Sequence, residues 1–334
     1  MTMLSARVAS PTWRSGGCPG GPARALRLGR SAVQGLPHAP RWSVKCAAFP
    51  RDYAEAVAGA QRAVRSAVED GKALLEVDFP VAGLEKCAGD EEASTENNLQ
   101  AKYLREFCRM FAMWDAFPAK RVRVCFPDED ERAIAVRGSD GFDKVDAVEA
   151  TFHTWPGPVD HLFEKNVMDL SGLTALLGRK PAPGIADRVA EDDAALVLAY
   201  PSYNIDELVA AEGLYAQEAA RPEGRRRPIV LWNAELDRLR SGYYPAFWSR
   251  KELSTCKTGL LPHVETAYYI HNYKGSRPGV LFRAYPGPWQ VLLRPPGQRE
   301  VLPEPVWTGD AQPDGKTVAL DILPNAYERL LREK

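Results

Sequence analysis

The sequence predicts an α/β protein with a three-layer, Rossmann-like mixed sheet, parallel in its centre and antiparallel toward the C-terminus. Two observations predict the parallel part. Residues 194–200 and 228–232 are continuous apolar runs of strand length, and the segment between them has helical periodicity. The third observation predicts the antiparallel part, because β-rich runs between residues 264 and 294 are separated by short Gly/Pro turns.

The segment from residue 194 to residue 232 has the pattern of a βαβ unit. Its two apolar runs, AALVLAY and PIVLW, do not alternate, which is typical of strands covered on both faces. Asn204 followed by Asp206 and Glu207 resembles a helix N-cap with a capping box. The apolar positions of the helix between the strands are Ile205, Leu208, Val209, Ala211, Tyr215 and Ala219.

The N-terminal half predicts two helix–strand pairs. Apolar residues at helical spacing in residues 49–68 end before Gly71, and the run ALLEVDF at residues 73–79 reads as a strand. An aromatic stripe predicts a long helix at residues 99–114, and alternation predicts a strand at residues 122–126. Such a stripe is more typical of core packing than of a cofactor site.

The other segments are less regular. We expect a strand within residues 143–152, helical character over residues 160–177 and a Pro-rich connector at residues 179–191. The predicted C-terminal elements are strands at residues 264–273, 280–285 and 289–294, an edge strand at residues 317–322 and a last helix that begins at Pro324.

The first 48 residues have the composition of a chloroplast transit peptide. No Asp or Glu occurs before Asp52, whereas residues 1–48 contain six Arg and one Lys, and the segment lacks the apolar centre of a secretory signal. A disordered basic tail without a targeting role is the alternative. We therefore divide the chain into a leader (1–48), an α/β domain (49–295) and a C-terminal extension (296–334) with the edge strand and the terminal helix.

Composition excludes several classes of protein. The full chain has a net charge of −1, and without its seven basic leader residues it has 36 basic against 44 acidic residues, or −8. This acidic balance argues against general nucleic-acid binding. No apolar run approaches the roughly 18–20 residues that span a bilayer, so we expect no transmembrane segment and at most peripheral membrane contact.

The sequence predicts neither a bound cofactor nor a metal site. Its six cysteines form no CxxC pair, and we expect Cys108 and Cys125 to be core residues. The phosphate-binding motifs GxGxxG and GxxxxGK[ST] are absent, as are the catalytic motifs GxSxG and HExxH. We therefore assign no catalytic residues, and a non-enzymatic protein is the favoured prediction.

Three turns at the ends of predicted strands form a candidate ligand pocket, represented by Asp128, Ser202 and Asn233. Ligands of open α/β sheets bind at the carboxyl ends of the strands. The carboxylates that begin at Asp128 could hold Mg²⁺, but favourable interaction with a helix dipole explains them more simply. The Asn233 amide could cap the next turn, which we favour, or face a ligand.

A short loop after this unit contains a candidate partner surface made of Tyr243, Tyr244, Phe247 and Trp248. Aromatic side chains anchor many protein interfaces. The alternative is a small core beneath the loop, and the sequence does not separate the two.

Four motifs resemble a known family: residues 228–237 (PIVLWNAELD), residues 242–245 (GYYP), Tyr268-Tyr269 and residues 282–289 (FRAYPGPW). They are similar to the plastid and cyanobacterial family of unknown function that includes the Low Photosystem II Accumulation assembly factor. The resemblance covers residues 50–295, and the Phe126-Pro127-Asp128 turn lies in matching order. It implies a plastid location and, for that member, a role in photosystem II assembly at the thylakoid. It supplies no catalytic residues.

These inferences together predict a chloroplast auxiliary protein in the stroma or on the stromal face of the thylakoid. We expect it to act without catalysis, by binding proteins of the thylakoid or photosystem assembly machinery. The alternative is a plastid enzyme or nucleotide- or small-molecule-binding protein that uses the carboxyl ends of the parallel strands.

Overall fold

The computed structural model describes residues 47–80, 93–137, 151–163, 184–202, 204–242, 244, 250–294 and 304–332. All of them belong to one compact unit, Val44–Lys334. The helices are α1 (Tyr53–Glu69), α2 (Ala93–Cys108), α3 (Glu129–Arg137), α4 (Ile185–Arg188), α5 (Ile205–Ala219), α6 (Asp237–Ser241), α7 (Arg250–Thr255), α8 (Gly315–Thr317) and α9 (Leu323–Arg332).

A mixed sheet forms the middle layer, and nine of its strands lie within the described residues, in the order β3-β2-β4-β5-β1-β6-β7-β8-β9. The first six in that order are parallel, and β7, β8 and β9 continue the sheet antiparallel to their neighbours. The strands are β1 (Leu74–Asp78), β2 (Val122–Phe126), β3 (Val159–His161), β4 (Ala195–Ala199), β5 (Ile229–Trp232), β6 (Glu265–Tyr273), β7 (Gly279–Ala284), β8 (Trp289–Leu293) and β9 (Pro305–Gly309).

Helices cover both faces of the sheet, as the uninterrupted apolar strands require. On one face α1 and α2 pack against β1, β5 and β6. There the ring centroids of Phe107, on α2, and Trp232, on β5, are 4.8 Å apart. On the opposite face α5, α6 and α7 cover the parallel strands. The C-terminal helix α9 covers the antiparallel strands on that same face, and the Tyr327 hydroxyl anchors it by donating to the Arg294 carbonyl at 2.6 Å.

The predicted fold class is confirmed, and so are the strands of the central unit and the three strands predicted between residues 264 and 294, which are β6, β7 and β8. The helix predicted at residues 99–114 is also present, although its last turn, Arg109–Met113, tightens into a 3₁₀ helix. Cys108 and Cys125 are buried core residues, as expected.

The edge strand predicted at residues 317–322 is wrong. The segment Val318–Ile322 is a helical π turn, and the edge strand is β9 at Pro305–Gly309. The alternation of Val318, Leu320 and Ile322 suggested a strand, but Leu320 is 75% exposed, and only Val318 is fully buried. Asp314 starts the helix instead, because its carboxylate accepts hydrogen bonds from the backbone of Lys316 and Thr317.

Only parts of two further predicted segments, residues 160–177 and residues 143–152, lie within the described residues. Helical character over residues 160–177 is wrong at its beginning, where Val159–His161 forms β3 and pairs with β2. A three-residue edge strand is too short to show alternation in the sequence. Residues 164–177 lie outside the described residues, as do residues 143–150 of the predicted strand, and Phe152–Thr154 is a 3₁₀ turn.

Candidate functional site

The carboxyl ends of the parallel strands lie along one edge of the sheet and carry the polar residues that the sequence singled out. Asp128 follows β2, Ser202 follows β4 and Asn233 follows β5, and these three strands are neighbours in the sheet. Because β2, β4 and β5 are parallel, their carboxyl ends lie at the same edge of the sheet, and neighbouring ends are about 4.8 Å apart. The chain leaves β2 toward β3 and leaves β4 in the opposite direction toward β5, so a topological switch point separates Asp128 from Ser202.

Asp128 acts as the N-cap of α3. Its Oδ1 accepts the Glu131 N–H at 2.9 Å, and its carbonyl accepts the Arg132 N–H at 3.0 Å. The following carboxylates lie in the first helical turn, where Arg132 donates to Glu129 at 2.6 Å and lowers the pKa of Glu129. These contacts fit the helix-start explanation of the acidic run.

Ser202 lies in a tight buried turn that is tied to the next strand end. Its N–H donates to the Tyr200 carbonyl at 2.7 Å, and its own carbonyl accepts from Arg238 Nη1 at 3.0 Å. Tyr200 has a φ of +33°, which is unusual for a residue with a side chain. The turn after β4 is therefore fastened to α6 rather than open.

Asn233 joins the ends of β5 and β1. Its N–H donates to the Val77 carbonyl at 2.7 Å, and its Oδ1 accepts the Phe79 N–H at 3.0 Å. The amide oxygen thus caps the neighbouring strand rather than the next turn. Asn233 and Glu235 have φ values of +48° and +47°, so two non-glycine residues of one short turn are in the left-handed region. Backbone of this kind is concentrated at functional sites.

A carboxylate cluster lies beside this turn, on the face of the sheet that α6 covers. We use that name for Glu76, Asp78, Asp237, Arg240 and Tyr269. Arg240 donates to Glu76 through both terminal nitrogens, at 2.8 and 2.6 Å, and to Asp237 Oδ1 at 3.0 Å. Glu76 is fully buried and accepts a further hydrogen bond from the Thr266 hydroxyl at 2.6 Å. Burial alone would lower the pKa of Arg240, but the two carboxylates raise it.

Asp237 is the second carboxyl group of the cluster that accepts from Arg240. It accepts from Arg240, from the Tyr269 hydroxyl and, at 3.3 Å, from the Gln312 amide. Burial and the neighbouring Asp237 raise the pKa of Tyr269 well above its ordinary value, so the phenol keeps its proton and donates it. Three donors from three segments therefore fix the Asp237 carboxylate.

Asp78 differs from the other two carboxyl groups. It is partly exposed, and the hydrogen bond it accepts comes from the Glu235 N–H at 3.2 Å. Burial, followed by repulsion from Glu76, Asp237 and Glu235, raises its pKa well above 3.8. A carboxyl group whose pKa is raised in this way is suited to act as a general acid or a general base.

This cluster is not among the sites predicted from the sequence, although two signals for it exist there. Glu76 and Asp78 occupy alternate positions of the otherwise apolar run ALLEVDF, and a carboxylate inside a buried strand requires a partner. The motifs that carried the resemblance, PIVLWNAELD and Tyr268-Tyr269, supply Asp237 and Tyr269. The structure thus brings these motifs together at one place.

The aromatic loop is described only at Tyr244. Its ring is partly buried, packs against the core beneath α5 and α7, and lies 5.3 Å from the Lys257 ammonium. Tyr243, Phe247 and Trp248 lie outside the described residues. The partner surface stays a prediction.

Within the described residues, no group of three or more His, Cys, Asp or Glu side chains has the geometry to hold a metal ion. No helix in the described part of the chain is long and apolar enough to cross a membrane. Cys108, Cys125 and Cys256 are free and buried, and burial raises the pKa of each thiol, that of Cys256 to about 12.

Fold and site together define an α/β protein with a polar cluster at the carboxyl ends of its central parallel strands. The chain belongs to the family described as DUF1995, a domain of unknown function, whose model matches residues 50–320. The match extends past residue 295 and includes the carboxylate cluster and β9. No curated protein matches the chain, and no solved structure does.

Replacing Asp78 by Asn tests the raised pKa. A folded-state pKa above 3.8 means that the folded protein binds this proton more tightly than the unfolded chain. The stabilisation is complete below pH 3.8, the ordinary pKa of the carboxyl group in the unfolded chain. It is lost as pH rises through the higher pKa of the folded state. D78N removes the charge that Asp78 acquires at high pH. At pH 8 its melting temperature should therefore exceed that of the parent by about 3 °C, which corresponds to roughly 1 kcal/mol in unfolding free energy. The measurement is calorimetry from pH 4 to pH 8.

Asp237→Asn is the matched control for D78N, since it changes the carboxyl group that accepts from Arg240 and Tyr269 and should lower stability at every pH measured. Parallel pH profiles for D78N and the parent would show that Asp78 does not hold its proton in the folded protein.

Replacing Asn233 by Ala tests the strand junction. The substitution leaves the Phe79 N–H without its acceptor and puts Ala in the left-handed region, so we expect a loss of about 2 kcal/mol or more in unfolding free energy. Asn233→Gly loses the hydrogen bond but tolerates the backbone, and should cost less. Asn325→Ala, at an exposed position of α9, should change stability by less than about 0.5 kcal/mol. Equal effects in all three variants under urea denaturation would contradict the assignment.

Proposed function

We propose that this protein is a chloroplast auxiliary protein that binds other proteins during assembly or maintenance of a photosystem. The observation that carries the proposal is the family assignment over residues 50–320, because the motifs inside that range resemble the family of the Low Photosystem II Accumulation assembly factor. The basic, acid-free composition of the first 48 residues supports import into the plastid.

The turns at the carboxyl edge support this use of the fold. Asp128 caps a helix, the Ser202 carbonyl is bonded to Arg238, and the Asn233 amide oxygen is bonded to the end of β1. Their described polar contacts hold the scaffold together, which fits a domain that presents surfaces to partners.

A second candidate function has its own supporting observation. Asp78 is a partly exposed carboxyl group with a raised pKa, at the strand ends where α/β proteins bind ligands. This favours a plastid enzyme or small-molecule-binding protein that uses Asp78 for proton transfer and the fixed Asp237 for charge stabilisation. The excess of carboxylates would repel an anionic group and suits a neutral or cationic one.

Import into isolated chloroplasts followed by crosslinking tests the first proposal. The full chain, synthesised in vitro, should be shortened near residue 48, become protected from added protease, and crosslink to photosystem assembly intermediates resolved on native gels. A chain that begins at residue 49 should stay outside, and the leader fused to an unrelated stromal reporter should enter without crosslinking. An imported chain that associates only as the reporter does would contradict the assembly role.

Thermal-shift screening with Mg²⁺, nucleotides, sugar phosphates and uncharged or cationic metabolites tests the second candidate. If Asp78 contacts the ligand, one compound should raise the melting temperature by about 2 °C or more at saturating concentration. That increase should disappear in D78N and persist in Asn325→Ala. Absence of any increase across the panel would remove the ligand-binding candidate.

A further inference from the structure

Arg105, on α2, is a half-buried cation that stacks on aromatic rings. Its guanidinium lies over two aromatic rings, with the central carbon 5.3 Å from the centroid of Trp155 and 5.9 Å from that of Phe152. Nη2 makes a long hydrogen bond of 3.4 Å to the Thr154 hydroxyl, and Nε is buried without a hydrogen-bond partner. No Asp or Glu among the described residues forms an ion pair with Arg105.

A second guanidinium group, that of Arg109, lies near Arg105. Burial lowers the pKa of Arg105, and so does the charge of Arg109 in the 3₁₀ turn that follows α2, whereas Cys108 and Glu106 act in the opposite direction. The nearby carboxylate, Glu106, is engaged by Arg109 at 3.0 Å. Glu106 therefore forms its ion pair with the exposed Arg109 and not with Arg105, and the partly buried charge of Arg105 is costly unless an anion offsets it.

The platform beneath the guanidinium is rigid. The Trp155 indole nitrogen donates to the Val122 carbonyl at 3.1 Å, and the Phe152 and Trp155 rings pack edge to face at 6.2 Å. Both aromatic side chains are buried, whereas Thr154 is exposed. The stacked guanidinium thus has a fixed plane and its outer edge lies beside an exposed hydroxyl.

We propose that Arg105, Thr154 and Arg109 form a binding site for an oxyanion, either a carboxylate or a phosphate group. A guanidinium fork matches both groups through paired N–H donors, and stacking on aromatic rings orients the fork in advance. The Thr154 hydroxyl adds a donor, and Arg109 adds a second charge. The site lies on α2 and the Phe152–Thr154 turn, is independent of the carboxylate cluster, and does not depend on either proposed function.

Titration of the full chain with inorganic phosphate and with acetate, each at constant ionic strength, tests this proposal. Binding is followed by the nuclear magnetic resonance signal of the arginine Nε–H groups. We expect saturable shifts with at least one of the two anions, centred on Arg105. R105Q should weaken binding about tenfold or more, since it removes a charge-assisted pair of hydrogen bonds. R105K keeps the charge but loses the fork, and should give an intermediate loss.

Arg65→Gln is the matched control, because Arg65 also lies over a tryptophan, 5.0 Å from the Trp114 centroid. It should leave binding unchanged. A response to phosphate alone identifies a phosphate site, and a response to acetate alone identifies a carboxylate site. No saturable response to either anion, or equal weakening by R65Q and R105Q, would overturn the proposal. R105K provides the test of the site if R105Q does not fold.

Discussion

The ion pair between Glu76 and Arg240 is the constraint on which the centre of the molecule depends. Glu76 lies in β1, between β5 and β6, and its side chain is fully buried. A carboxylate at this position is tolerated only when charge and hydrogen bonds compensate its lost hydration. Arg240 and Thr266 supply that compensation from a helix and from a neighbouring strand. The pair therefore fixes α6 beneath the sheet and, with it, the turn that leads from Asn233 to Asp237.

Much of the fold could be predicted because the parallel strands are buried on both faces. The runs at residues 194–200 and 228–232 are apolar for that reason, and their helix partner has one apolar face. The prediction failed where burial leaves no periodic pattern. β3 has three residues and half-exposed side chains, while the Val318–Ile322 turn alternates as a strand would but is helical after the Asp314 cap.

Only the part of the site that depends on where strands end could be predicted from the sequence. Asp128, Ser202 and Asn233 do follow neighbouring parallel strands, which places them on one edge. The carboxylate cluster could not be assembled from spacing, since Arg240 lies 164 residues from Glu76 along the chain, and Gln312 lies 75 residues from Asp237. The order of the strands in the sheet brings these residues together, and no local sequence pattern predicts the order β5-β1-β6.

The carboxylate cluster is costly in free energy, and this cost indicates why the fold contains it. A buried ion pair rarely stabilises a fold more than apolar side chains of the same volume would, so stability alone is a weak explanation for Glu76 and Arg240. The adjoining turn contains two non-glycine residues in the left-handed region, Asn233 and Glu235, and the pKa of Asp78 beside it is raised. Each feature costs free energy, and all of them meet at the carboxyl ends of the central strands. Costs concentrated at one place, in a fold that is otherwise packed with apolar side chains, are more typical of a surface kept for recognition or chemistry than of one kept for stability.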